Sequence, residues 1–412
     1  MGDMLRAFVS LALLALAAGA ARTAAQATNP DGSLRPAGPV TRLFTQDAYT
    51  EYVILEPGSE AFRIRFLPEE TRAGATEIVN ATRGGSEGSG IEVYDPRTGE
   101  PLEFAYVQQG NDPDSHAIRA KLPRPVPEGG IGRVLIYKTY KDPRTYQING
   151  DELIWVRNLS GYRLGVILPA GYALTSSNIA AQLSTTPDGR LKLAFANPSG
   201  QANPLTLRAR KTAVGFAPAP YTDMFFDDMK TLYDIEAPDT GRLRIEQSYS
   251  DYRKGDHAAL DSLLYLPLTD VRIIDLDTAK ALPLVMGSSA SGPSGSTVAP
   301  RVKLDVPIVN DRQSAHLRIT GTLNGAYAVN GDELVFTREL RGLRNTVLLP
   351  AGWDVAAISQ SATIGTWRGR TFVALINLNS ENRYQVVIRA RKTKAGVGLL
   401  DVGAEADSRR RF

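Results

Sequence analysis

The segment NGDELIWVRNLSGYRLGVILPAGY, residues 149–172, returns as NGDELVFTRELRGLRNTVLLPAGW at residues 330–353. Of the 24 paired positions 14 are identical, and the copies lie 181 residues apart. Shorter echoes surround them. VRIIDLDTAKALPL from Val271 parallels IEVYDPRTGEPL from Ile91, FVALINLN from Phe372 parallels KLAFANPS from Lys192, and Arg389–Thr393 repeats Arg208–Thr212. A spacing this long exceeds the ~20–50 residues of a solenoid period. It is the length of a domain plus a connector, and 412 residues are enough for two such domains.

Each copy is written in short segments bounded by turn residues, among them EYVILEP, FRIRFLP, RVLIYKTY and RLGVILP. Leu205, Leu207 and Ala209 alternate with Thr206, Arg208 and Arg210, the period-two pattern of a strand with one buried face. Trp155 is matched by Phe336 and Tyr172 by Trp353, so aromatic bulk is kept while identity drifts, as at core positions. The expectation is an all-β chain of two tandem antiparallel β-sandwich domains related by internal duplication. The layout resembles tandem immunoglobulin-like domains of exported proteins, although the Cys and Trp markers of true immunoglobulin domains are missing. The predicted divisions are a signal peptide at 1–25, an extended lead-in at 26–44, repeat 1 at 45–213, a connector at 214–238, repeat 2 at 239–396 and a basic flexible tail at 397–412.

Arg6 is followed by an uncharged apolar run of about 15 residues and then by small residues around Ala25 and Ala27, the pattern of a secretory signal. An exported protein, periplasmic or extracellular, is therefore expected. If the segment is retained, it anchors the chain to a membrane by its N-terminus. The chain has no cysteine, which removes disulfides and thiolate chemistry. A net charge of +3 is too small to call for a nucleic-acid partner.

In the connector, Phe225, Met229 and Leu232 fall at i, i+4 and i+7, with Phe226 and Tyr233 beside them. That spacing predicts a short amphipathic helix, capped by Thr222 or Asp223, that wedges the seam between the domains or offers an apolar stripe to a partner. Trp367 has no counterpart in repeat 1 and joins Phe225, Phe226, Met229, Leu232 and Tyr233 as a partner-binding candidate.

Familiar reactive patterns find little support. Gly84-Gly85-Ser86-Glu87-Gly88 spells G-x-S-x-G, but a strand pattern follows it where a nucleophile elbow needs a helix. His116, His257 and His316 are scattered, so no histidine metal site, no cofactor and no catalytic residue is assigned. Asp112-x-Asp114 and Asp275-x-Asp277 read as turn aspartates. Asp151-Glu152 and Asp332-Glu333 follow Asn-Gly in both copies, with Arg157/Arg338 and Arg163/Arg344 at equal distances beyond, which suggests a carboxylate-arginine tie across a hairpin. Asn80-Ala81-Thr82 and Asn158-Leu159-Ser160 match the N-glycosylation pattern.

The function this reading favours is a non-catalytic exported binding or scaffold protein, an accessory subunit bracing a membrane-associated protein complex on its outer face. A glycan- or envelope-polymer-binding module is one alternative, and a hydrolase or lyase with an unconventional carboxylate site is another.

Overall fold

A computed structural model describes residues 28–29, 31–40, 43, 47–82, 86–111, 115–197, 202–213, 228–259, 268–288, 298–377 and 383–393. The signal segment, the basic tail, Phe225, Phe226 and Asp112-x-Asp114 lie outside them. Among the described residues the secondary structure is strand apart from one 3-10 turn at Pro238–Thr240. No helix among them is long and apolar enough to cross a membrane.

The duplication extends to the order of every sheet. In the first half the large sheet runs Gln182–Thr185, Leu191–Ala196, Arg163–Ile167, Ala48–Ile54, Ala61–Glu70, Leu135–Lys141 and Glu87–Tyr94. In the second half it runs Thr363–Trp367, Arg370–Ile376, Arg344–Leu348, Lys230–Asp234, Arg242–Asp251, Ala315–Asn324 and Leu268–Asp275. Both sheets are antiparallel except for one pairing each, Ala48–Ile54 with Arg163–Ile167 and Lys230–Asp234 with Arg344–Leu348, which are parallel.

Two smaller sheets cover one face of each large sheet. The four-stranded sheet holds Tyr146–Asn149, Glu152–Leu159, Asn203–Lys211 and Tyr172–Ser177, and its equivalent starts at Tyr327. The three-stranded sheet holds Glu77–Ala81, His116–Lys121 and Phe104–Gln108, and its equivalent starts at Gly255. Trp155 with Tyr52, Phe62 and Leu207 fills the space under the four-stranded sheet, while Ile118, Ile136 and Val93 fill that under the three-stranded one. Trp155, Phe336, Tyr172 and Trp353 are all buried, as their conserved bulk predicts.

The hairpin tie exists with other partners. Glu152 pairs with Arg208 and Glu333 with Arg389, each across neighbouring strands, while Arg163 and Arg344 lead elsewhere.

The described end of the connector differs from expectation. Lys230–Asp234 is a strand of the second large sheet, not the last turn of a helix. The reason is a competing period. Thr231, Tyr233 and Ile235 are buried and alternate with half-buried Lys230, Leu232 and Asp234, and this two-residue repeat matches the equivalent strand Ala48–Ile54. Met229 packs into the second core and under Gly342.

The lead-in is extended, but it docks. The backbone N–H groups of Leu34, Ala37 and Val40 donate to the carbonyls of Val355, Ile364 and Thr366, and Leu34 joins the core of the second half. The chain thus crosses its own C-terminal half before building its first.

The turn glycines Gly161 and Gly342 are equivalent in sequence but not in demand. Gly342 has φ +76° and a Cβ there would sit 2.8 Å from Met229, whereas at Gly161 the nearest atom would be 3.5 Å away. Gly342→Ala is expected to lower stability by roughly 1–3 kcal/mol and Gly161→Ala to change it far less. Urea denaturation of both variants measures the difference.

Candidate functional site

The halves meet through a buried network of charge, built from equivalent positions. Asp47 directly precedes the first strand, and Asp228, 181 residues on, lies two residues before the start of its counterpart. Arg163 and Arg344 open the parallel neighbours of those strands, in register with Tyr49 and Lys230. Asp47 accepts from Arg163 Nε at 3.1 Å within its own half and from Arg344 Nη2 at 2.5 Å across the seam. Arg344 also donates to the Asp228 carbonyl at 3.3 Å and lies 4.7 Å over the Tyr162 ring. Burial alone would push the Asp47 carboxyl up, but the charges of Arg163 and Arg344 outweigh it and hold Asp47 well below the usual carboxylate range.

A second layer repeats the exchange. Glu69 is in register with Arg133, and at the equivalent place Ser250 is in register with His316. Each contacts the other half: Arg133 Nη1 donates to Ser250 Oγ at 3.3 Å, and His316 Nε2 lies 3.8 Å from Glu69 Oε1. Arg133 further grips Asp277 through Nε and Nη2 and donates to Ser314 Oγ at 2.9 Å. Arg97 pairs with Asp275 at 3.1 Å. Asp275 and Asp277 therefore hold the seam and are not free turn residues. Backbone closes the gap beside them, where Ile131 N–H donates to Leu276 carbonyl at 2.8 Å and a Cβ on Gly130 would come within 2.5 Å of that oxygen.

Glu69, Asp228 and His316 form a buried group whose donor atoms lie within 4.8 Å of one another. A divalent ion would need such atoms at about 2.0–2.2 Å, and the surroundings oppose it. Asp228 already accepts from Ser250 N–H and Oγ. Around it Arg133 pairs with Asp277, Arg163 and Arg344 share Asp47, and Lys230 lies 3.7 Å from Glu69. Burial, then the charge of Arg133, pushes His316 down to about 4, and burial pushes Glu69 up despite Lys230. This cluster is built to hold two halves together.

A cavity of about 360 Å³ opens where the two small sheets of the first half leave the large sheet uncovered. Tyr52, Phe66 and Tyr140 lie against it, together with Lys138 and Arg157. Asn80, Thr82, Asn158 and Ser160 line it too, so both glycosylation-like triplets converge on one cavity.

The other sequence candidates scatter. Leu232 and Trp367 share a groove of about 340 Å³ in the second half, rimmed by Glu236, Arg244, Glu246 and Arg368. Arg368 lies 4.4 Å over the Trp367 ring, so one face of that indole is covered. Tyr233 is core and Met229 is packed beneath Gly342. Ser86 Oγ donates to Asp142 at 3.1 Å, and His116 is stacked on Tyr106. The seam was missed because its members come from distant turns. The signal present was the repetition of Arg163 as Arg344 and of Asp47 as Asp228, both at the offset of 181.

No protein-family model matches the chain, and no curated protein matches it. Among solved structures, a two-domain M1 zinc metallopeptidase variant bound to L-tryptophan aligns at 17% identity and TM-score 0.28, over 40% of this chain and 42% of that one. A candidate protease from Parabacteroides distasonis aligns at 11% identity and TM-score 0.25, over 85% and 93%. At these scores neither likeness carries an argument about this chain.

Removing Asp47 strands two buried guanidiniums. Asp47→Ala is expected to cost about 3–5 kcal/mol, measured by urea denaturation. For His316 the unfolded ring binds a proton near pH 6.5 and the folded ring only near 4, so its contribution is lost as pH falls through that window. Wild-type stability relative to His316→Asn should drop by roughly 3 kcal/mol between pH 6.5 and 4. Parallel stability curves for the two proteins would refute the assignment.

Proposed function

We propose that the chain is a non-catalytic exported protein that binds and braces another protein, with two immunoglobulin-like β-sandwich halves fused into one rigid body. The observation that carries this reading is the seam. Its buried histidine and carboxylates are spent on pairing between the halves, and a lead-in strapped to the opposite half reinforces the joint. A body braced in this way keeps a fixed geometry between two surfaces. The groove formed by Leu232 and Trp367, apolar at its base and of mixed charge at its rim, is the proposed docking place for a protein of the outer membrane face. Mixed charge suits a protein surface better than anionic lipid.

Gentle detergent solubilisation and affinity purification of the native protein, followed by mass spectrometry, tests the proposal. A protein partner should be retained by the wild type and lost from a Leu232→Glu, Trp367→Ala variant of unchanged melting temperature. Recovery of the wild type as a lone soluble monomer would sink the bracing role.

A further inference from the structure

The first-half cavity brings two buried cations together without a carboxylate in its lining. Lys138 is 4% exposed and Arg157 9% exposed, and both line it. None of the lining residues is an Asp or Glu. Lys138 Nζ donates to Asn80 Oδ1, a neutral acceptor, and lies 4.9 Å over the Tyr140 ring. The Arg157 guanidinium is stacked 5.0 Å over Phe62 and 5.1 Å over Tyr52, and its buried Nη1 has no hydrogen-bond partner. Two neighbouring cations held out of water without a counter-charge are costly. In the seam Arg133, Arg163 and Arg344 each touch a carboxylate.

The duplicated half shows what the same frame looks like without this site. In the first half Ile64 is in register with Lys138, and in the second Ile245, its counterpart, is in register with Gly321. A Cβ on Gly321 would lie 3.1 Å from Leu268, which packs into both cores of that half. Leu268 faces Leu323 where Gly88 faces Tyr140. Lysine and glycine on one side thus stand where glycine and leucine stand on the other, and the second half, which keeps the arginine as Arg338, fills the place of the lysine with hydrocarbon.

We propose that this cavity binds an acidic sugar, its carboxylate seated between Lys138 and Arg157. The guanidinium plane and the ammonium supply charge-assisted donors. Half-buried Phe66 offers an apolar surface to a pyranose ring, and the amides and hydroxyls of Asn80, Thr82, Asn158 and Ser160 suit its hydroxyl groups. A volume of about 360 Å³ is that of a small-ligand pocket, and the exposed Asn158 and Ser160 at its edge leave it open to solvent. This site is independent of the docking groove and does not rest on the bracing role.

Isothermal titration calorimetry with glucuronate, glucose and inorganic phosphate tests it on the full mature protein. Glucuronate should bind, with glucose and phosphate each about tenfold weaker or worse. Lys138→Met should weaken glucuronate by a similar factor while raising the melting temperature at neutral pH, because it removes a buried charge. Burial, and then Arg157, pushes Lys138 down to about 7, so glucuronate affinity should fall as pH rises through that value. Equal affinity for glucuronate and glucose overturns the proposal, as does phosphate binding as tightly as glucuronate. So does a Lys138→Met protein that is destabilised yet binds unchanged.

Discussion

One carboxylate holding two arginines organises this molecule. Asp47 is fully buried, and its partners Arg163 and Arg344 come from opposite halves of the chain. Neither arginine can leave without stranding the other charges, since a buried pair costs little when complete and a great deal when broken. Such a contact confers specificity of assembly more than stability. It fixes one relative placement of the halves, because displacement by an ångström would unmake several charge-assisted hydrogen bonds together. Asp277 on Arg133 and Asp275 on Arg97 extend the same logic outward.

The two copies have diverged where they face each other and where they face the first-half cavity. At the seam Glu69 and Arg133 stand opposite their counterparts Ser250 and His316. This exchange removes one charge from each sign and lets a neutral imidazole fill a place that a second guanidinium would overcrowd. At the cavity the substitution runs the other way, and the first half keeps a charge that the second has replaced with packing. Duplication thus gives an internal control, in which the shared frame marks what folding needs.

Much of the frame was legible in the sequence. Strand periodicity and the aromatic core pairs Trp155/Phe336 and Tyr172/Trp353 follow from patterns within single segments. The connector misled because Met229, Leu232 and Tyr233 satisfy a helical spacing while residues 230–235 also satisfy a strand period, and pairing with Arg344–Leu348 decides between them. The seam and the cavity were hidden for a different reason. Glu69, Asp228 and His316, or Asn80, Lys138 and Arg157, are distant in sequence and are brought together by sheet order. Only the repeated Arg163/Arg344 gave a hint, and a local hairpin tie accounted for it more simply.

The strap of residues 34–40 has a consequence for the order in which the molecule can be completed. Its hydrogen-bond acceptors are Val355, Ile364 and Thr366, so a segment made near the start of synthesis waits for strands made near its end. Asp47 waits similarly for Arg344, 297 residues later. Each half can collapse on its own core as it emerges, but closure of the whole is a late event across very long loops. Until the last sheet forms, the N-terminal segment lacks its partners and the nearby aspartate holds only one of its two arginines. A partly synthesised chain therefore presents a surface that the finished protein conceals.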